Sequence, residues 1–479
     1  MRRRSYRTTF AVLTVSVMSY ALVQSMTVPT LPLLQTELGT TQSAVTWVLT
    51  AQLLAAAIST PILGRVGDAV GKNRMLVVAV GALAVGSVVA ALATHIGVLI
   101  GARVIQGVGG GVIPLAFGII RDEVPEKHRS MAISVVSSLL AVGFGIGIVV
   151  AGPILDVLGF HWLFVLPAIV ATLAAVAAFV LVPESPVRTP GGVSLLPAVL
   201  LAGWLSSFLL AVSQGPAWGW TSPGVLGLLV AAVVLTLAWV RSEQRARVPV
   251  VDLTMMRRRP VWAANLVALL VGVSMYASFG FVPQLVQTPS ASGWGLGATV
   301  TQAGLVMLPS AAATFVAGLV ATPLARLFGP KPMVIASCMI GAVGLLSTAL
   351  VHDTLVQTAI GAGIASVGVG LVFALLANLV VAAVPAEQTG VASGMNANVR
   401  TIGGAVGSAM ATSIVTAQVL PNGLTAEIGY TVTFVVLAVV MASAGLAGFL
   451  VPGAAADRAA AQAAARVDEP ARPTEDVAA

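Results

Sequence analysis

Fourteen apolar stretches separated by short polar gaps run the length of this chain. They are 9–31, 45–63, 75–94, 97–119, 131–156, 162–182, 195–213, 224–240, 261–284, 300–324, 333–351, 356–381, 393–418 and 430–451. A membrane-crossing helix needs ~20 apolar residues, and in lipid each backbone N–H must be satisfied within a helix or a closed barrel. The pattern therefore predicts fourteen transmembrane helices and an all-α integral membrane protein. The cations give these helices a direction. Of 24 lysines and arginines, 22 fall in the termini and even-numbered gaps, at 2–7, 65–74, 121–129, Arg188, 241–259, 326–331 and 458–472. The odd-numbered gaps hold none. By the positive-inside rule both termini are expected in the cytoplasm.

Composition agrees with the bilayer as solvent. Apolar residues are 58% and charged residues 9% of the chain, against about 45–50% and 25% in soluble domains. The net charge of +7 is spread over many short gaps, which argues for topology and an anionic inner leaflet rather than nucleic acid. The single Cys338 lies in an apolar stretch, so disulfides and thiolate metal sites are not expected. Arginine outnumbers lysine 21 to 3, and with abundant Ala, Val and Gly this points to a high-GC bacterial genome, so the expected location of the spans is the bacterial inner membrane. Arg2–Arg4 before an apolar run imitates a secretory signal, but the run is too long and no small-residue cleavage site follows, so it reads as the first span. The Ala-rich, then charged, tail after Pro452 is expected to be disordered.

Landmarks recur at a near-constant offset. "PEKHRSMA" from Pro125, with Gly143 and Gly147, is followed 260 residues later by "PAEQTGVA" from Pro385, with Gly403 and Gly407. The loops ending at Gly71 and Gly329 are 258 apart. Chance matching among abundant Gly and Pro is the alternative, but placement on the same charge side favours a duplicated half. The expected organisation is a six-helix half over 1–182, a linker and two inserted helices over 183–260, a second six-helix half over 261–451, and the tail 452–479.

Four motifs carry chemistry. "GRVGDAVGKNR" spans Gly64 to Arg74, where the glycines allow a turn and Asp68 can cap a helix or pair with Arg121 or Arg129. In the fourth stretch Arg103, Gln106, Gly107, Gly110 and Gly111 share one helix face. A membrane-embedded arginine costs at least ~2.5–3.5 kcal/mol, so it should face a polar cavity or anchor carbonyls of a neighbouring helix. In the fifth, Gly143, Gly145, Gly147, Gly152 and Pro153 precede Asp156 and by themselves read as a small-residue packing face. In the thirteenth, Asn396, Arg400, Gly403, Gly404 and Gly407 share a face, with Arg400 ~15 Å into the helix. Tyr20, Gln24 and Gln52 are polar positions that serve a cavity or packing equally well.

Together these motifs resemble the major facilitator superfamily, and within it the fourteen-helix branch of drug:proton antiporters, over residues 9 to about 451. The resemblance implies a cytoplasmic gate at Gly64, Asp68, Gly71, Lys72 and Arg74, although Ala69 replaces the basic residue expected after the acid. It implies proton coupling through Arg103, and two halves rocking on the glycine-rich fifth helix. There the usual Gly-Pro pair is displaced, since Ile148 follows Gly147 and the pair comes at Gly152-Pro153. The acid usual in the first helix is also missing near Val23 and Gln24. The apolar cores thus hold two cations and no anion, which favours a neutral or anionic lipophilic substrate. Asp156 and Asp68 are the nearest candidate proton carriers; His95, His128, His161 and His352 all sit in gaps.

The expected function is secondary active efflux of lipophilic drugs or antibiotics by alternating access, with the proton gradient as energy source and no cofactor. The expected pathway residues are Arg103, Gln106, Gly107, Asp156, Asn396 and Arg400. A proton-coupled uptake permease for a small anionic metabolite is the alternative. No Walker-type loop occurs, so ATP is not expected as a partner.

Overall fold

The computed structural model describes residues 6–27, 34, 37–40, 42–185, 194–247, 249–417, 420 and 424–452. Arg2–Arg4, Arg188 and the tail from 453 lie outside the described residues. Fourteen long helices follow in order: α1 (Tyr6–Ser25), α2 (Gln42–Val70), α3 (Lys72–Ala91), α4 (Ile96–Glu123), α5 (Glu126–Leu158), α6 (Trp162–Leu181), α7 (Leu195–Trp218), α8 (Pro223–Arg245), α9 (Arg259–Gln287), α10 (Val300–Phe328), α11 (Pro330–Leu350), α12 (Leu355–Ala383), α13 (Thr389–Thr416) and α14 (Glu427–Ala447). Thirteen are long and apolar enough to cross a membrane. The other, α13, is as long but carries Asn396, Asn398 and Arg400 on its buried faces. It is enclosed by α2, α7 and α9, so protein replaces lipid around its polar positions.

Helix pairing repeats across the chain. In the first six helices α1 packs on α5 and α6, α2 on α4, and α3 on α4 and α6. Eight helices later α9 packs on α13 and α14, α10 on α12, and α11 on α12 and α14. The result is two six-helix bundles of like topology, with α7 and α8 as an added hairpin. The bundles meet along two seams, α5 against α10 and α2 against α13. α7 covers the second seam from outside. Thr50 and Ser213 hydroxyls lie 3.0 Å apart, and the Trp220 indole donates to Ser413 at 3.2 Å.

Apolar faces all round let each helix meet lipid or protein alike. Hydroxyls within the helices mostly bond back to the carbonyl four residues earlier, as Ser16 does to Val12 and Thr314 to Ser310, which removes their cost in an apolar setting. Boundaries move where polar residues are buried rather than solvated. Gly64 to Val70 continues α2 by two turns instead of forming a loop, because its polar side chains find partners inside the protein. The chain breaks at Gly71, whose φ of +139° suits glycine alone. Helix α5 begins at Glu126 and α7 runs on to Trp218, both beyond the apolar stretches that mark them in the sequence.

Candidate functional site: a gate, a buried arginine and a central cavity

At the cation-rich end, Asp68 leaves the last turn of α2 and is buried against the start of α13, where the Val391 N–H donates to Oδ2 at 3.3 Å. A carboxylate there meets the unpaired N–H groups of a helix N-terminus. Its cation is Lys72, at 3.7 Å, rather than Arg121 or Arg129. Lys72 sits closer to Asp122, at 2.7 Å, and all three side chains are sealed from solvent. A second partner of Asp122 is the Ser185 hydroxyl. Arg121 instead reaches the other bundle, donating to the Val381 carbonyl at 2.6 Å and to the Thr389 hydroxyl at 2.8 Å.

Glycine makes this approach possible. A Cβ on Gly64 would stand 2.7 Å from the Gly390 carbonyl oxygen, and one on Gly71 2.6 Å from the Glu184 carboxylate. Glu184 caps α3 by accepting from the Asn73 and Arg74 N–H groups at 3.1 and 3.3 Å, and it pairs with Arg74 at 3.5 Å. A strap between α8 and α9 lies beside these groups. Glu243 accepts from the Trp239 indole and the Val250 and Val251 N–H groups. Gln388 donates to Asp252 at 3.2 Å. Burial pushes the Asp252 carboxyl up, but hydrogen bonds from Thr254, Met255 and Gln388 outweigh it and hold the group below its ordinary value.

Contacts between the bundles continue inward. Asn378 donates to Ser134 at 2.9 Å, Ser134 meets Thr322 at 2.7 Å, and Asn398 donates to the Ala57 carbonyl at 2.6 Å. This end of the protein is closed. Toward the other end Thr301 donates to Asp156 at 3.5 Å, and Asp156 is exposed.

Arg103 is fully enclosed within the first bundle, behind the wall of the central cavity. One guanidinium nitrogen donates to the Val23 carbonyl at 3.2 Å, to Gln52 at 3.0 Å and to Gln106 at 2.8 Å. Gln106 passes the chain to Ser87 at 3.0 Å, and the Phe164 ring lies 5.4 Å from the guanidinium. Gln52 is spent on this network and does not line the cavity. Gly107 backs onto Ala55 and Gln52, which lets α4 touch α2. Asn396 donates to Asn265 at 2.8 Å between α13 and α9, also away from the cavity.

The central cavity lies between the bundles. Tyr20 and Gln24 of α1, Ala56 and Thr60 of α2, and Leu140 and Phe144 of α5 line one side. Met275, Tyr276 and Phe279 of α9, Phe373 of α12, and Ala397, Arg400 and Thr401 of α13 line the other. The space between the atoms is about 580 Å³, mouth included. Arg400 stands 4.0 Å over the Phe373 ring, and Tyr276 lines the same cavity. Among the described lining residues none is acidic. The cavity can thus take an aromatic or aliphatic body and present a guanidinium and two phenols to an anionic or hydrogen-bonding group.

The glycine-rich face of α5 packs on both bundles. Gly143 and Gly147 meet Ala21 and Ser25 of α1, whereas Gly145 and Gly152 meet Ala311 and Thr301 of α10. Pro153 lies within α5, on its exposed side. The sequence reading missed Tyr276, Phe373, Glu184 and Asp122. One signal was available for the first: Tyr20 and Tyr276 are 256 residues apart, close to the repeat offset.

Comparison with known proteins fits this geometry. The family model described as Major Facilitator Superfamily matches residues 13–408. The Tetracenomycin C resistance and export protein of Streptomyces glaucescens is 27% identical over 410 residues, covering 85% of this chain and 75% of that protein. The Multidrug resistance protein B homolog of Mycobacterium tuberculosis is 27% identical over 349 residues, covering 71% of this chain and 63% of that protein. The chain therefore spans less than two thirds of the second relative. Among solved structures, the human organic anion transporter MFSD10 (TETRAN) superposes with a TM-score of 0.65 at 16% identity, covering 93% of this chain and 99% of that one; at that identity the likeness is one of fold. Fourteen long helices, twelve of them in two like bundles, a cavity at the bundle seam and this family match lead to one conclusion: the chain belongs to the major facilitator superfamily and is a multi-pass membrane transporter.

Proposed function

We propose that the protein exports lipophilic compounds, neutral or anionic, across a bacterial cytoplasmic membrane in exchange for protons, with both termini in the cytoplasm. The observation that carries this reading is the cavity between the bundles, apolar and aromatic apart from Arg400, Tyr20, Gln24, Thr60, Tyr276 and Thr401. A permanently charged guanidinium with no carboxylate beside it repels cations and attracts anions. The aromatic lining weighs against a small hydrophilic metabolite and so against uptake of a nutrient. The names of the two relatives, one of export and one of multidrug resistance, support the same direction.

Alternating access would open the cation-rich end by parting α2 from α13 and α5 from α10. The groups Gly64, Asp68, Gly71, Lys72 and Arg74 then act as the cytoplasmic gate, and the proton gradient supplies the energy without ATP. Asp68 is better enclosed than Asp156 and is favoured as the carboxylate that binds the proton. Neutralising Asp68 would weaken its hold on Lys72 and on the α13 terminus together. Cells over-producing the protein should accumulate less of a fluorescent lipophilic acid, and a protonophore should restore accumulation. Unchanged accumulation across a broad panel of lipophilic antibiotics and acids contradicts the reading.

A further inference from the structure

The two bundles differ at one pair of equivalent places. The first residues of α3 and α11 follow Gly71 and Gly329, an offset of 258, and the N-caps of α4 and α12 are His95 and Thr354, an offset of 259. These offsets pair Gln52 with Ser310, Arg103 with Ala362, and Gln106 with Ala365. In the first bundle the three long polar side chains fill the core as the Arg103 network. In the second, their small counterparts all line a chamber of about 430 Å³ between the atoms, mouth included. The chamber shares Met275 and Phe279 with the central cavity, so the two spaces adjoin.

One further feature points to an occupant. Met275, Met307 and Met441 line the walls, and unbranched thioether side chains repack around guests of different shape.

We propose that this chamber is a second compartment of the binding site, taking the apolar tail of an amphiphile whose anionic head meets Arg400. The substrate class is then an elongated lipophilic acid rather than a compact one. The first bundle is plugged by Arg103 and serves as the fixed wall, while the second adapts to the tail. This rests on the lipophilic-anion reading of the central cavity, and the test separates the two.

Binding of 4-alkylbenzoates, methyl to octyl, is measured on the full chain in nanodiscs, with free ligand in the aqueous phase determined by dialysis. Affinity should rise about fourfold per methylene buried until the chamber is full. Ala362→Leu should flatten this rise while leaving 4-methylbenzoate unchanged, and Arg400→Gln should weaken every member by the same factor. Absence of Arg400-dependent binding overturns the lipophilic-anion reading. Arg400-dependent binding with the same slope in Ala362→Leu overturns the chamber alone. A second measurement needs no filling variant: in a Cys338→Ala background, 4-octylbenzoate but not 4-methylbenzoate should slow modification of Ser310→Cys by methyl methanethiosulfonate. Equal rates with both acids contradict the chamber.

Discussion

Replacing Gly64 by alanine should bias the transporter against the conformation described here. The added methyl would stand 2.7 Å from the Gly390 carbonyl oxygen and 2.9 Å from its carbon. Both are backbone atoms of α13, so no side chain can swing aside and the helices themselves must part. Overpacking of this kind costs about 1–3 kcal/mol. On the proposed alternating-access cycle α2 and α13 part when the gate opens, so that cost falls on the closed conformation alone. At 1.4 kcal/mol per tenfold, it shifts the equilibrium about 5- to 150-fold toward opening at the cation-rich end. Spin labels at Lys127, at the start of α5, and Arg257, two residues before α9, both exposed at this end, would report the change as a longer distance distribution by double electron–electron resonance. Gly81→Ala, where a Cβ meets nothing within 4 Å, is the control and should match wild type. If Gly64→Ala gives the wild-type distribution, the tight α2–α13 approach is not what holds the gate shut.

Further outcomes follow from the site. Arg400→Gln should weaken binding of a lipophilic acid by about tenfold or more, the scale of a lost charge-assisted bond, with little change in the thermal unfolding midpoint; Arg103→Gln should lower the midpoint, since Val23, Gln52 and Gln106 lose a shared donor, and leave the order of substrate preference intact. Gly71→Ala should cost about 1–3 kcal/mol through positive-φ strain and the Glu184 clash, read as a lower unfolding midpoint in detergent, where an unchanged midpoint would remove the clash from the account. Asp68→Asn should abolish the dependence of transport on an imposed pH gradient, and Asp156→Asn should preserve it; the reverse result would move the proton carrier to the exposed end.

The helix count was legible in the sequence because lipid demands an apolar surface along the whole span, and the cation map located the shared end of the gate groups. The helical course of Gly64–Val70 was not legible. Glycine with charged residues reads as a loop until their partners are known, and those partners, Val391 and Asp122, come from distant helices. Arg103 and Arg400 looked alike in sequence, each on a glycine-lined polar face. Their fates diverge through neighbours: Gln52 and Gln106 close over Arg103, whereas Ala397 and Thr401, a turn or less from Arg400, leave it open to the cavity. Helix periodicity shows which residues share a face but not what that face meets.

The central claim is proton-driven movement of a lipophilic anion through the cavity at Arg400, and the most direct measurement uses the purified full chain in liposomes. With an acidic lumen and a lipophilic arylsulfonate outside, the account predicts gradient-dependent accumulation in the lumen, abolished by a protonophore and by Arg400→Gln. A permanently charged sulfonate does not follow a pH gradient unaided, so accumulation reports the protein. No accumulation, or accumulation that survives both treatments, would contradict the account.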